Sequence, residues 1–167
     1  MTPLALSIAG SDSCGGAGLQ ADLAAFAALG VRGATAVTAV TAQNRSGVRA
    51  LQVLPALLVR DQIDAVFEEE PVRAVKLGML AEASIIEAVA ASLRQHRARG
   101  IGMFQPRNDQ ARRPPGEHFI DHRLFPVGRV VGDADDRLQA GILQHFGDAR
   151  HDLGEDHVRQ RGNHHPD

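Results

Sequence analysis

Residues 9–22 read AGSDSCGGAGLQAD and follow a short apolar stretch, residues 4–9. Glycines at 10, 15, 16 and 18 free the backbone for positive φ and for close approach to a ligand. Gln20 and Ala21 then open an alanine-rich stretch, so the glycine run is a loop between a strand and a helix N-terminus. Backbone N–H groups converge at such a junction and favour a small polar or anionic ligand. A strand, a glycine loop and a helix in this order predict an α/β fold.

The pattern continues outward from the loop. Residues 20–29 have the spacing of an amphipathic helix, closed by Gly30 at its C′ position. Residues 35–41 are rich in β-branched side chains and predict a strand, with residues 48–54 a second one at a sheet edge. Pro55 opens a helix through Glu69 whose apolar stripe is Leu58, Ile63, Val66 and Phe67. Pro71 ends it, and residues 72–77 predict another strand. Ser84 and Glu87 form a capping-box pattern at the head of a helix running to about Arg97. Strands alternating with helices predict a mostly parallel, doubly wound sheet.

After Gly100 the composition changes. Residues 1–100 hold 22 alanines and the remainder four, whereas seven of the eight histidines fall after the break. Pro106, Pro114, Pro115 and Pro126 leave few uninterrupted windows, the best being a short strand at 129–131 and a short helix at 138–146. The reading is therefore one α/β domain over residues 1–100 and an irregular segment over 101–167. That segment is expected to be either disordered or the product of a shifted frame in a GC-rich gene.

Composition excludes several function classes. A net charge of -2 with no Trp or Tyr gives neither an electrostatic footprint nor stacking platforms for nucleic acid. No apolar run approaches the ~20 residues of a membrane helix. The single cysteine, Cys14, rules out an internal disulfide framework and suits a reducing, cytoplasmic setting.

Three blocks in order carry a family resemblance: AGSDSCGGAGLQADLAAFAALG from Ala9, TAVTAQN from Thr38, and VKLGML from Val75. Over residues 4–99 the chain resembles the N-terminal portion of the hydroxymethylpyrimidine/phosphomethylpyrimidine kinases of thiamine biosynthesis, within the ribokinase-like superfamily. The resemblance implies ATP- and Mg²⁺-dependent phosphorylation of 4-amino-5-hydroxymethyl-2-methylpyrimidine and then of its monophosphate. It also implies that Gly10 and Ala17 line the pyrimidine pocket, that the Gln43 side chain reads the ring's polar edge, and that Met79 packs on the ring face. Asp12 and Asp22 fall in the same block without an assigned catalytic role. The family's later D-P-V, K-G-G-H and G-T-G-C segments, the last bearing its anion hole and reactive cysteine, have no counterpart after Gly100, and Cys14 stands in the wrong block to replace that cysteine. No catalytic residue is therefore assigned, and little turnover is expected from this chain alone. The alternative is a non-catalytic pyrimidine-binding fragment or subunit.

The same residues also have plainer readings. Phosphoryl transfer needs phosphate-facing amides, cations and a metal, and the chain offers the amides of the 10–18 loop and one lysine, Lys76. There is no G-x-x-x-x-G-K-[ST]. The run from Gly16 to Ala21 fits a loose dinucleotide pattern but lacks an acidic partner between Asp22 and Asp61. Gln43 could instead bond loop backbone, and Met79 could fill core. Lys76 reads as a snorkelling or domain-edge lysine rather than a catalytic cation. Cys14 reads as a tolerated small residue, and Glu68, Glu69 and Glu70 as a solvated face. Asp133, Asp135 and Asp136, His151 with Asp152, and His164 with His165 lack metal-site spacing, so no metal site is expected. A sheet ending this early would expose an apolar edge and favour a homo-oligomer or aggregation.

Overall fold

Strand β1, Leu4–Asp12, is buried along almost its whole length and forms the middle of the sheet in a computed structural model that describes residues 2–103 and the backbone of residues 130–132. The chain continues through α1 (Gly18–Ala28), β2 (Arg32–Asn44), β3 (Gly47–Val53), α2 (Ala56–Glu69), β4 (Val72–Leu77), α3 (Ala83–Gln95), β5 (Ile101–Met103) and β6 (Val130–Gly132). The strands lie in the order β3-β2-β1-β4-β5-β6. β1 pairs in parallel with β2 and β4, and β4 with β5. The edge pairs β2–β3 and β5–β6 are antiparallel.

Helix α1 packs on β1 and β2, while α2 packs on β2 and against α3. Alternation along the strands sends Leu6 and Ile8 of β1, Val75 and Leu77 of β4, and Ile101 and Met103 of β5 into one cluster. There they meet Val59 and Ile63 of α2 and Ile85, Val89 and Leu93 of α3. Each such side chain contributes roughly 1.5–3 kcal/mol on burial. The face under α1 carries small and polar residues, and Leu19 is the one α1 side chain fully buried. The α2/α3 face therefore supplies most of the apolar stabilisation.

The elements expected from the sequence form, with instructive differences. Gly30 takes φ +68 directly after the α1 C-cap, as its C′ position requires. The α2 stripe is rotated by one residue: Val59, not Leu58, is buried with Ile63, and Leu58 is 47% exposed. Spacings of four and three (59, 63, 66) keep a straight stripe, whereas Leu58 lies about 100° round the helix from Val59. The capping box at Ser84 is not made. α3 begins at Ala83 with Glu82 as N-cap, so Ser84 sits inside the first turn and its hydroxyl bonds Glu82 instead of a helix amide. Past the boundary expected at Gly100 the sheet continues into β5, whose Ile101 and Met103 are buried. The short strand expected at 129–131 lies at Val130–Gly132 and pairs with β5, so the far side of β5 is covered. The helix expected at 138–146, the Asp133, Asp135 and Asp136 group, and His151, Asp152, His164 and His165 lie outside the described residues. No helix among the described residues is long and apolar enough to cross a membrane.

Candidate functional site

Strand β2 is reached from β1 on one side through α1, and β5 from β4 on the other through α3, so the sheet reverses direction between β1 and β4. In open α/β sheets, ligands bind outside the carboxyl ends of the strands at such a reversal. Three loops meet there: residues 13–17 after β1, the β2–β3 turn, and residues 78–82 after β4.

Gly10 sits where β1 meets this opening. The β1–β2 register slips between Ala9 and Ser11, so Thr38 and Ala39 of β2 together face Gly10. A Cβ on Gly10 would lie 2.7 Å from Met79 Cε. With no side chain on β1 at this point, the Thr38 hydroxyl reaches across the strand and donates to the Met79 carbonyl at 2.7 Å. Thr38 is fully buried, and Met79 is 43% exposed. The plainer reading of Met79 as core filler is thereby corrected: its backbone is anchored by Thr38, and its side chain stands over Gly10 and open to solvent.

Asp12 organises the glycine loop. Its Oδ1 accepts the Cys14 N–H at 2.9 Å, and its Oδ2 accepts those of Gly16 and Ala17 at 3.1 and 3.0 Å. Gln20 of α1 closes the other end by accepting the Asp12 N–H. These amides, expected from the sequence to face an anionic ligand, are turned inward onto a carboxylate belonging to the chain itself. Asp12 thus plays the part of an anion at the α1 N-terminus, and Ala17 serves as the α1 N-cap.

The loop is also tied to β2. Ser13 Oγ donates to the Gln43 carbonyl at 2.7 Å and accepts the Gln43 N–H at 2.8 Å, and Cys14 Sγ lies 3.1 Å from the same carbonyl. Thr41 Oγ1 donates to the Ser11 carbonyl. The Gln43 backbone is therefore fully used, while its half-buried side-chain amide has no hydrogen-bond partner among the described residues. The alternative in which that side chain bonds loop backbone does not hold.

Asp22 and Lys76 meet beneath α1. Lys76 Nζ lies 2.6 Å from Asp22 Oδ2, which also accepts the Ser7 hydroxyl at 2.6 Å. The two charged side chains are 22% and 16% exposed. Lys76 is therefore neither a snorkelling nor a domain-edge lysine, because its charge is answered inside the fold. Its Nζ runs toward the site end of β4, 3.1 Å from where a Cβ on Gly78 would stand.

Sequence reasoning assigned no role to Thr38, Thr41 or Ser13. The available signal was Thr38 and Thr41, buried in the alanine- and valine-rich middle of β2. Buried hydroxyls need partners, and here the partners belong to the site loops.

A nucleoside triphosphate and its metal need phosphate-facing donors and oxygen ligands. The loop amides are committed to Asp12 and Lys76 is paired with Asp22. Among the described residues no group of three or more His, Cys, Asp or Glu side chains is gathered. Among the described residues the donors that a triphosphate needs are already paired within the chain, so these residues do not fit the nucleotide or Mg²⁺.

Known proteins agree with this architecture. A family model described as phosphomethylpyrimidine kinase matches residues 12–103. A hydroxymethylpyrimidine/phosphomethylpyrimidine kinase of Rhizobium meliloti is 46% identical over 134 residues, covering 78% of this chain and 50% of that protein. That stretch is longer than the first hundred residues, so the likeness continues beyond Gly100. The crystal structure of phosphomethylpyrimidine kinase from Clostridium difficile superposes with a TM-score of 0.60 at 44% identity, over 62% of this chain and 45% of that one. Pyridoxal kinase from Staphylococcus aureus, in complex with AMP-PCP and pyridoxal, gives 0.55 at 30% identity, over 62% and 38%. The chain spans about half the length of the curated relatives it matches.

Proposed function

Because the chain belongs to the phosphomethylpyrimidine kinase family, we propose that it takes part in phosphorylating 4-amino-5-hydroxymethyl-2-methylpyrimidine and its monophosphate in thiamine biosynthesis, with ATP as donor and Mg²⁺ as its metal. The reaction belongs to the cytoplasm, in keeping with the single cysteine. The described residues supply the pyrimidine-binding side. Gly10 leaves room for the ring at the sheet reversal, Met79 covers one face of it, and Ala17 lines the loop edge. Gln43 offers one acceptor and two donors to the ring's amino group and nitrogens.

The observation that carries this reading is the Gln43 side-chain amide, which has no partner among the described residues, beside a loop that consumes its own N–H groups. A half-buried amide left without a partner costs free energy, and a ligand with complementary donors and acceptors recovers it. None of the described residues is assigned a step of phosphoryl transfer.

Equilibrium titration of the chain with the hydroxymethylpyrimidine tests this. Saturable binding is expected, weakened about tenfold or more in Gln43→Ala, on the order of the 1–3 kcal/mol that a lost buried hydrogen-bonding group costs. Equal affinity in the variant would remove Gln43 from the site.

A further inference from the structure

A cavity lies at the amino-terminal end of the parallel strands, opposite the candidate site. It has a volume of about 360 Å³ and is lined by Phe67 at the end of α2, Pro71, Val72 and Arg73 at the start of β4, and residues 96–99 after α3. We propose that this cavity binds a diphosphate group, either free or as the terminus of a small organic ester.

The lining contains Arg73, His96, Arg97 and Arg99 and no acidic side chain. Nearby carboxylates are already engaged: Asp64 with Ser92 and His96, and Glu70 with Arg32. Glu68 and Glu69 are exposed on α2. Arg73, Arg97 and Arg99 have no ion-pair partner among the described residues. Three arginines that line one concavity and have no ion-pair partner among the described residues match a multiply charged phosphate anion, which guanidinium groups can grip with paired N–H donors.

Arg97 adds an independent observation. It occupies the C′ position of α3 at φ +50, with its N–H on the Arg94 carbonyl and the Ala98 N–H on the Leu93 carbonyl. This is the helix-ending arrangement that favours glycine, and a residue with a Cβ there is strained. Complementing the α3 dipole would account for basic residues at the helix end. It does not account for accepting backbone strain to place one, nor for Arg73 on a separate strand. Beside them His96 is held firmly: its Nε2 is 2.8 Å from Asp64 Oδ1, and its ring stacks on Phe67 with centroids 4.7 Å apart. One wall of the cavity is therefore preorganised.

Titration calorimetry of the full chain with inorganic pyrophosphate at low ionic strength tests the assignment. Saturable binding is expected, falling at least about fivefold in both Arg97→Gly and Arg73→Gln. In the absence of ligand, Arg97→Gly is expected to melt a few degrees higher than the parent, because glycine relieves the left-handed backbone. Lower affinity with higher stability separates a ligand-binding role from a structural one. Tighter binding of methyl diphosphate than of pyrophosphate assigns the cavity to an organic ester, and equal or weaker binding assigns it to the free anion. Absence of saturable binding to the parent chain, or unchanged affinity in both variants, overturns the proposal.

Discussion

Lys76 of β4 and Asp22 of α1 form an ion pair of 2.6 Å that joins the central strands to the helix packed on this face of the sheet. α1 contributes little apolar burial of its own, with Leu19 its one fully buried side chain. The pair, with Ser7 donating to the same carboxylate oxygen, therefore fixes where α1 lies on the sheet.

Removing one partner should cost more than removing both. Among the described residues, Lys76→Met leaves a largely buried carboxylate with only its Ser7 bond, and a loss of about 1–2 kcal/mol is expected, less than for a fully buried pair because solvent still reaches these groups. Asp22→Asn combined with Lys76→Met should recover part of that loss. Urea denaturation of the two single variants and the double variant measures the coupling, and strictly additive effects would show that the pair is not one unit.

Asp12 acts as the loop's internal acceptor. Asp12→Ala leaves the Cys14, Gly16 and Ala17 amides without their partner, so a destabilisation of about 1–2 kcal/mol is expected, as for losing a helix cap. Hydrogen exchange should report the change locally, with those amides losing protection while core strand amides keep theirs.

Two glycines of the same loop region should respond oppositely to alanine. At Gly10 the new methyl meets the flexible end of Met79 at 2.7 Å, so the fold adjusts while the space above β1 is lost. Pyrimidine affinity should fall by about tenfold or more, with the melting temperature nearly unchanged. At Gly18 the methyl would lie 2.2 Å from the Gly10 carbonyl oxygen, with φ at +59. Backbone cannot step aside there, and Gly18→Ala should cost more than about 3 kcal/mol.

Acid should weaken the α2–α3 contact. Burial by itself would raise the Asp64 carboxyl, but hydrogen bonds from Ser92 and His96 and the positive charges of His96 and Arg60 hold it below its ordinary value of 3.8. A depressed carboxyl stabilises the fold above its unfolded value, and this contribution is lost as pH falls through the folded one. The stability advantage of the parent over Asp64→Asn should thus shrink as pH is taken below 3.8. A gap that widens on acidification would show the opposite shift.

Local signals proved dependable where one physical cause acts alone. β4 runs from Val72 to Leu77 because Pro71 ends the preceding helix and the β-branched pattern resumes directly after it. Gly30 terminates α1 because its backbone must turn left-handed. The capping box at Ser84 and the stripe through Leu58 were less dependable, since each pattern competes with a neighbour one position away. Packing of α3 against α2 and the sheet decides that competition in favour of Glu82 and Val59.

The site was legible as a set of residues but not as an arrangement. The glycine loop, Gln43 and Met79 stand in three separate blocks, and their residue types already point to a small polar ligand at a strand–helix junction. Nothing in their order reveals that Asp12 absorbs the loop amides, that Thr38 reaches Met79 across a missing side chain, or that Lys76 closes on Asp22. These contacts join positions far apart in the chain, some more than forty residues.

The sequence by itself determined the α/β alternation, the glycine loop at the first strand–helix junction and the family to which that loop belongs, because periodicity, glycine φ and short motifs are local properties of the chain. Tertiary structure alone decided which donors remain available to a ligand. Hydrogen-bond capacity is shared among whatever groups folding brings together, so an amide that looks open in the sequence is spent once a carboxylate packs against it, while the Gln43 side chain has no partner among the described residues because Ser13 and Cys14 use only its backbone.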